Sequence, residues 1–260
     1  MKRQVEEFRA NRSGQLLIVA ALAIAVLVSS TTIYVYELSR DTNSSDRPPL
    51  NDFVLSLKQS TRNVMISSLA NVSNGGSSSV LATNLNTFSQ LVASLHHLGT
   101  MSLDFTPLND STYDSGTYLS WNTSDTSDTG VSSAYVNFTL RVYGLEEEID
   151  AAFAVNVTTT ITISGSYATL LSGDKQVSLT CRVYNEDEPA LAKNMTFFYE
   201  NSGNWIQVDA SNDLFIIDQG NGTYLVSFTV NIPSDTVPVS VRGYDSRNVF
   251  VLANTTCSGT

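Results

Sequence analysis

Between Ala134 and Ile163 the chain alternates apolar and polar side chains with a period of two, interrupted once by a turn. Ala134, Val136, Phe138, Leu140 and Val142 point one way, and Tyr135, Asn137, Thr139 and Arg141 the other. Phe153, Val155, Val157, Ile161 and Ile163 repeat the pattern after Gly144 to Glu148. A period of two places successive side chains on opposite faces of a strand, so this stretch is incompatible with a buried helix and predicts a β-hairpin over 134–165. The chain is 42% apolar over 260 residues, enough for a core in one or two domains.

The alternation continues towards the C-terminus. Strands are expected at Val177 to Tyr184, Met195 to Tyr199, Trp205 to Val208, Leu214 to Ile217, Thr223 to Ile232, Val237 to Gly243 and Val249 to Thr256. Turn residues separate them, notably Asp218-Gln219-Gly220-Asn221-Gly222 and Asp245-Ser246-Arg247-Asn248. Short strands at this spacing predict a β-sandwich. Residues 166–260 resemble an immunoglobulin-like surface domain, and Asn221 to Val226 resemble repeats of prokaryotic surface proteins. The resemblance implies a fold, not an activity.

Upstream the period changes to that of helices. Phe53, Leu57, Val64 and Leu69 follow helical spacing, with Asn51 or Asp52 as N-cap. After Asn74-Gly75-Gly76, a second helix is expected from Ser77 or Ser78, with Leu81, Leu85, Phe88, Leu91, Val92 and Leu95 on one face and Gly99 as C-cap. Residues 51–99 therefore read as a helical hairpin. Between Ser111 and Ser133, 12 of 23 residues are Ser or Thr, so 100–133 reads as a solvated Ser/Thr-rich segment or stalk in which Tyr113, Tyr118 and Trp121 suggest partial packing.

The N-terminal region carries a different signal. No charged side chain occurs from Ser13 to Tyr36, and Leu16 to Val28 is wholly aliphatic. Those 24 positions span roughly 36 Å as a helix, against about 30 Å of bilayer hydrocarbon. Lys2, Arg3, Arg9 and Arg12 precede the segment, which predicts a cytoplasmic stub at 1–13 and export of the remainder. The expected order is a transmembrane helix at 14–36 in contact with membrane lipid, a linker at 37–50, the helical hairpin, the Ser/Thr-rich segment and the β domains. A cleaved secretory signal is the alternative. The fold class is thus mainly β with an N-terminal α part.

Arg12-Ser13-Gly14-Gln15-Leu16-Leu17-Ile18-Val19-Ala20 resembles the start of archaeal type IV pilin-like proteins. That resemblance implies removal of a basic leader between Gly14 and Gln15 and packing of the helix into a filament. It covers about the first 36 residues, with Ser13 where a basic residue is usual and Val19 where bacterial pilins commonly carry glutamate.

Charge narrows the functional classes. With 14 Lys+Arg and 25 Asp+Glu the net charge is -11, and residues 14–260 carry -13. An acidic exported surface favours solubility, and no nucleic-acid partner is expected, since that needs a basic face. Nine glycosylation sequons follow the apolar segment, at Asn43, Asn71, Asn109, Asn122, Asn137, Asn156, Asn194, Asn221 and Asn254. Cys181 and Cys257 share strand parity with core positions. They are either one disulfide, stabilising by about 4 kcal/mol, or two buried thiols.

Catalytic machinery is not expected. The adjacent His96 and His97 diverge by about 100° on a helix and cannot chelate together. Glu146-Glu147-Glu148-Ile149-Asp150 and the Asp125 and Asp128 region lack the spacing of a calcium loop. Ser172-Gly173-Asp174-Lys175 matches S-x-x-K by letters alone. No enzyme activity and no cofactor or metal is expected. The sequence points to a non-catalytic, single-pass surface protein with a structural or adhesive role and an unspecified extracellular partner or self-association; the alternative is a pilin-like filament subunit.

Overall fold

The computed structural model describes residues 50–94, 100–122, 127–143 and 148–260. They belong to two compact units, Met1–Ser56 and Leu57–Thr260, the first described only over the opening turns of a helix. The expected membrane helix, Gly14 and Gln15, Asn43, His96, His97, Asp125, Glu146 and Glu147 lie outside the described residues. Among the described residues no helix is long and apolar enough to cross a membrane.

The protein is mainly β, with two helices on the N-terminal side. Helix α1 (Leu50–Ser73) buries Leu57, Thr61, Met65, Leu69 and Val72, one stripe at intervals of three and four. The expected Val64 is only half-buried, because the stripe runs through Met65. The helix ends in a Schellman turn in which Gly76 N donates to Asn71 O and Gly75 N to Val72 O, with Gly75 at φ +90°. Helix α2 (Ser79–Ala93) buries Leu81, Leu85 and Val92. Its last residue is Ala93, with Ser94 as C-cap, and Leu91 points outward with 58% of its surface exposed; the expected Leu95 and Gly99 lie outside the described residues.

Strand β1 (Thr100–Pro107) pairs antiparallel with β3 (Thr129–Tyr143), from Thr100 opposite Tyr143 to Pro107 opposite Val136. This strand lies within the expected Ser/Thr-rich segment, and Met101 and Leu103 alternate as its buried face. A short β2 (Thr117–Leu119) also pairs with β3. Over its described residues the rest of the Ser/Thr-rich stretch folds back onto the sheet instead of standing off as a stalk. Its buried hydroxyls are satisfied there: Ser132 Oγ donates to Phe250 O at 2.6 Å, and Ser133 Oγ lies 2.9 Å from Thr158 Oγ1.

Strands β3 and β4 (Ile149–Thr169) form the long hairpin that the alternation predicts, in register from Thr129 opposite Thr162 to Val142 opposite Ile149. Their shared apolar face, with Met101 and Leu103, is buried on the side where α2 lies along β1. Ser89 Oγ of α2 donates to Leu103 O. Strand β4 does not end at residue 165. Its second half runs on to pair with β5 (Lys175–Asn185) from Thr159 opposite Asn185 to Thr169 opposite Lys175.

The remaining strands are β6 (Glu188–Pro189), β7 (Ala192–Asn201), β8 (Asn204–Gln207), β9 (Phe215–Asp218), β10 (Thr223–Val230), β11 (Thr236–Asp245) and β12 (Phe250–Gly259). The sheet order is β8-β7-β11-β12-β4-β5-β10-β9, antiparallel except where β12 meets β4 through Ser258 opposite Ser166 and Gly259 opposite Tyr167. Side chains from both ends of this order share one core. Val177, Leu179, Val226 and Phe228 from β5 and β10 join Phe197, Val239, Val241, Val251 and Ala253 from β7, β11 and β12.

Candidate functional site

The most densely bonded polar centre lies where the β11–β12 turn, the start of the β5–β6 turn, β4 and α1 converge. Asp245 ends β11 and is fully buried. Its Oδ1 accepts from the backbone N of Arg247 and of Val249, each at 2.9 Å, the local pattern by which an Asp closes a turn on itself. Oδ2 accepts from Thr159 Oγ1 at 2.9 Å and from Arg247 Nε at 2.7 Å. All four acceptor directions of a carboxylate are thereby used.

Arg247 carries the connection outward. Nη1 donates to Glu186 Oε1 at 2.8 Å, and Nη2 donates to Thr158 O and Thr159 Oγ1, each at 3.0 Å. Glu186 Oε1 also accepts from Thr158 N at 3.0 Å, and Oε2 accepts from Arg62 Nη2 of α1. The order is acid, base, acid, base, and the four formal charges cancel. Side-chain exposure rises along it, from 0% at Asp245 through 15% and 26% to 34% at Arg62. Buried charges are tolerated when paired and hydrogen-bonded, as Asp245 and Arg247 are.

The C-terminal end of α1 grips the same turn. Phe250 N donates to Ser73 Oγ at 3.0 Å, and Asn74 Nδ2 donates to Asn248 O at 3.2 Å. Helix α1 is therefore fastened to the β-sheet at two places along its length, Arg62 and Ser73-Asn74. The sequence pattern predicts only a turn at Asp245 to Asn248. The signal it does carry is compositional, since Arg247 is one of few cations in a long acidic stretch and must find a partner.

Cys181 and Cys257 are buried in the same core, as their strand parity predicts, and the structure carries both as free thiols. Burial pushes the Cys181 thiol up to about 12, with the nearby Cys257 adding to the effect, and burial pushes Cys257 up to about 11. Both stay protonated at neutral pH and are poor nucleophiles.

Six sequon asparagines are exposed: Asn71, Asn109, Asn137, Asn156, Asn194 and Asn221. Asn254 is half-buried, and the side chain of Asn122 lies outside the described residues. The S-x-x-K letters do not form a pair. Ser172 Oγ donates to Asp174 Oδ2 at 2.7 Å, whereas the buried Lys175 Nζ lies 4.6 Å from the centre of the Tyr167 ring. Among the described residues no group of three or more His, Cys, Asp or Glu could hold a metal ion. No protein family, curated protein or solved structure matches the chain.

Proposed function

We propose that the chain is a non-catalytic, single-pass surface protein whose role is structural or adhesive. The carrying observation is the fastening of α1 to the sheet through Arg62, Glu186, Arg247 and Asp245. An anchor that enters through α1 would transmit force into the sheet through these four linked charged groups and through Ser73 and Asn74. The acidic surface and the exposed sequon asparagines support display outside the cell.

In the same reading, residues 166–260 form an immunoglobulin-like sandwich. The order β4-β5-β10-β9 for one layer and β12-β11-β7-β8 for the other, with one shared core, supports it, and the β4 edge of that sandwich begins at Thr159, ahead of residue 166. The two layers meet along the short parallel contact of β4 with β12.

A filament subunit is the second reading. The Arg12-Ser13-Gly14-Gln15 leader favours it, and so do Phe215, Ile216 and Ile217, apolar side chains exposed on the terminal strand β9 that contact between copies would cover. N-terminal sequencing of the protein from membranes and from sheared surface material separates the readings. An intact N-terminus confined to membranes supports the anchored protein, and a chain beginning at Gln15 in the sheared fraction supports the filament. A start near Thr31 would sink both, as the mark of a cleaved secretory signal.

A further inference from the structure

We infer that the groove between β8 and the residues leading into β3 binds a neutral carbohydrate. The inference does not depend on how the chain is anchored. The groove is a cavity of about 500 Å³ at Trp205, continued by one of about 290 Å³ at Trp121. The two meet at Ser127 and Asn254. Both tryptophans of the chain therefore border one groove.

Trp205 leaves 41% of its surface in water on a terminal strand, so part of its indole is open to a further contact. A flat exposed indole can stack against the C–H face of a pyranose ring, which buries apolar surface on both sides. Six of the eight described residues around the larger cavity carry hydroxyl, carboxyl or amide groups, against the mainly apolar lining usual for hydrophobic ligands.

Those polar groups are available. The Glu200 side chain, opposite Trp205 across β7 and β8, makes no hydrogen bond or ion pair among the described residues. The one side-chain bond at Asp128 among the described residues is a 3.3 Å contact from Thr129 Oγ1. The Asn254 side-chain amide has no partner among the described residues, and its Oδ1 is buried. Carboxylates accept from paired sugar hydroxyls, while an amide and the Thr256 hydroxyl can do both. Among the described residues no Lys or Arg lines either cavity, so phosphate, sulfate or uronate groups would face two carboxylates without a cation. The chemistry selects an uncharged polyol.

Two sources of sugar fit. Asn254-Thr255-Thr256 is itself a sequon, so a glycan on Asn254 would grow along the groove that a foreign glycan would otherwise enter.

The test uses full-length protein in detergent, made in a bacterial cytoplasm without N-glycosylation. Tryptophan fluorescence is titrated with mannose, glucose and N-acetylglucosamine hexamers and with a sulfated hexamer. At least one neutral hexamer is expected to bind, the sulfated one at least tenfold more weakly. Trp205→Ala should lose at least tenfold in affinity, and Glu200→Gln should lose affinity with unchanged thermal stability. In parallel, the Asn254 peptide of protein from its own cells is weighed. An attached glycan, with hexamers binding only the unglycosylated protein, assigns the groove to the chain's own sugar; an unmodified Asn254 with binding assigns it to a foreign one. The inference is overturned if no neutral hexamer binds at millimolar concentration, if the Trp205→Ala protein binds as well as wild type, or if the sulfated hexamer binds better.

Discussion

Arg247 Nε lies 2.7 Å from Oδ2 of Asp245, a carboxylate with no exposed surface. The pair sits two residues apart in one turn, yet it fixes partners from far along the chain: Thr159 in β4, Glu186 after β5 and, through Glu186, Arg62 in α1.

Removing the cation from this centre should be severe. Arg247→Met leaves Asp245 buried without its ion partner and Glu186 with one bond fewer, and the expected loss is about 3–5 kcal/mol. Arg62→Met, at the exposed end, should cost no more than about 1 kcal/mol. Urea unfolding of both variants checks the contrast. Equal losses would mean that burial does not set the energetics of the chain of charges.

Gly130 is required for a different reason. A Cβ at this position would lie 1.9 Å from Leu252 O, a backbone atom that cannot move aside as a flexible side chain could. Gly130→Ala should destabilise by about 1–3 kcal/mol or more, as overpacking does. Gly243→Ala, whose Cβ would meet nothing nearer than 3.5 Å, is the control and should stay within about 1 kcal/mol. Thermal unfolding of the two proteins measures the difference.

The buried thiols predict an alkaline loss of stability. Both are held protonated in the fold, to about 12 and about 11, while the unfolded chain releases their protons near 9.0. Above that pH the unfolded state binds fewer protons, so stability is intact below about pH 9 and declines as pH rises towards 11. The slope should approach about 1.4 kcal/mol per pH unit for each thiol. Comparing wild type with Cys181→Ala/Cys257→Ala from pH 8 to 11 isolates their share. A disulfide in the exported protein would abolish that share, and unfolding in the presence of a maleimide would then label neither cysteine.

Continuity of β4 predicts a single unfolding transition for the β part of the chain. Phe138 is buried beneath the β1-β3-β4 face and Phe228 in the core shared by β5, β7 and β10 to β12, and β4 belongs to both. Phe138→Ala and Phe228→Ala should each cost about 3–5 kcal/mol and shift the same transition. Far-ultraviolet dichroism and tryptophan fluorescence should give coincident curves in both variants. Two separated transitions would show that the hairpin region and the C-terminal strands fold independently.

Strands with a clean period are legible in the sequence, because alternation expresses a sheet with one buried face. The parity of Cys181 and Cys257 places both thiols in the core for the same reason. Strand β1 alternates too, with Met101, Leu103 and Phe105 against Ser102, Asp104 and Thr106, but the run is short and adjoins the Ser/Thr-rich stretch, and its apolar positions gain meaning only with Met101 and Leu103 opposite Val142 and Leu140. Helical spacing permits both Leu91 and Val92 on the buried face, but α2 buries Val92 and leaves Leu91 outward.

Sequence alone determined the mainly β character, the two helices with the Gly75 turn between them, the inward direction of alternate side chains and the acidity of the surface. These follow from local periods and composition, which neighbouring residues set. The tertiary structure decided the strand order, the chain of charges from Asp245 to Arg62 and the meeting of Trp121 and Trp205 along one groove. Each of these joins residues tens to well over a hundred positions apart, and no local period records which distant side chains folding brings within hydrogen-bonding reach.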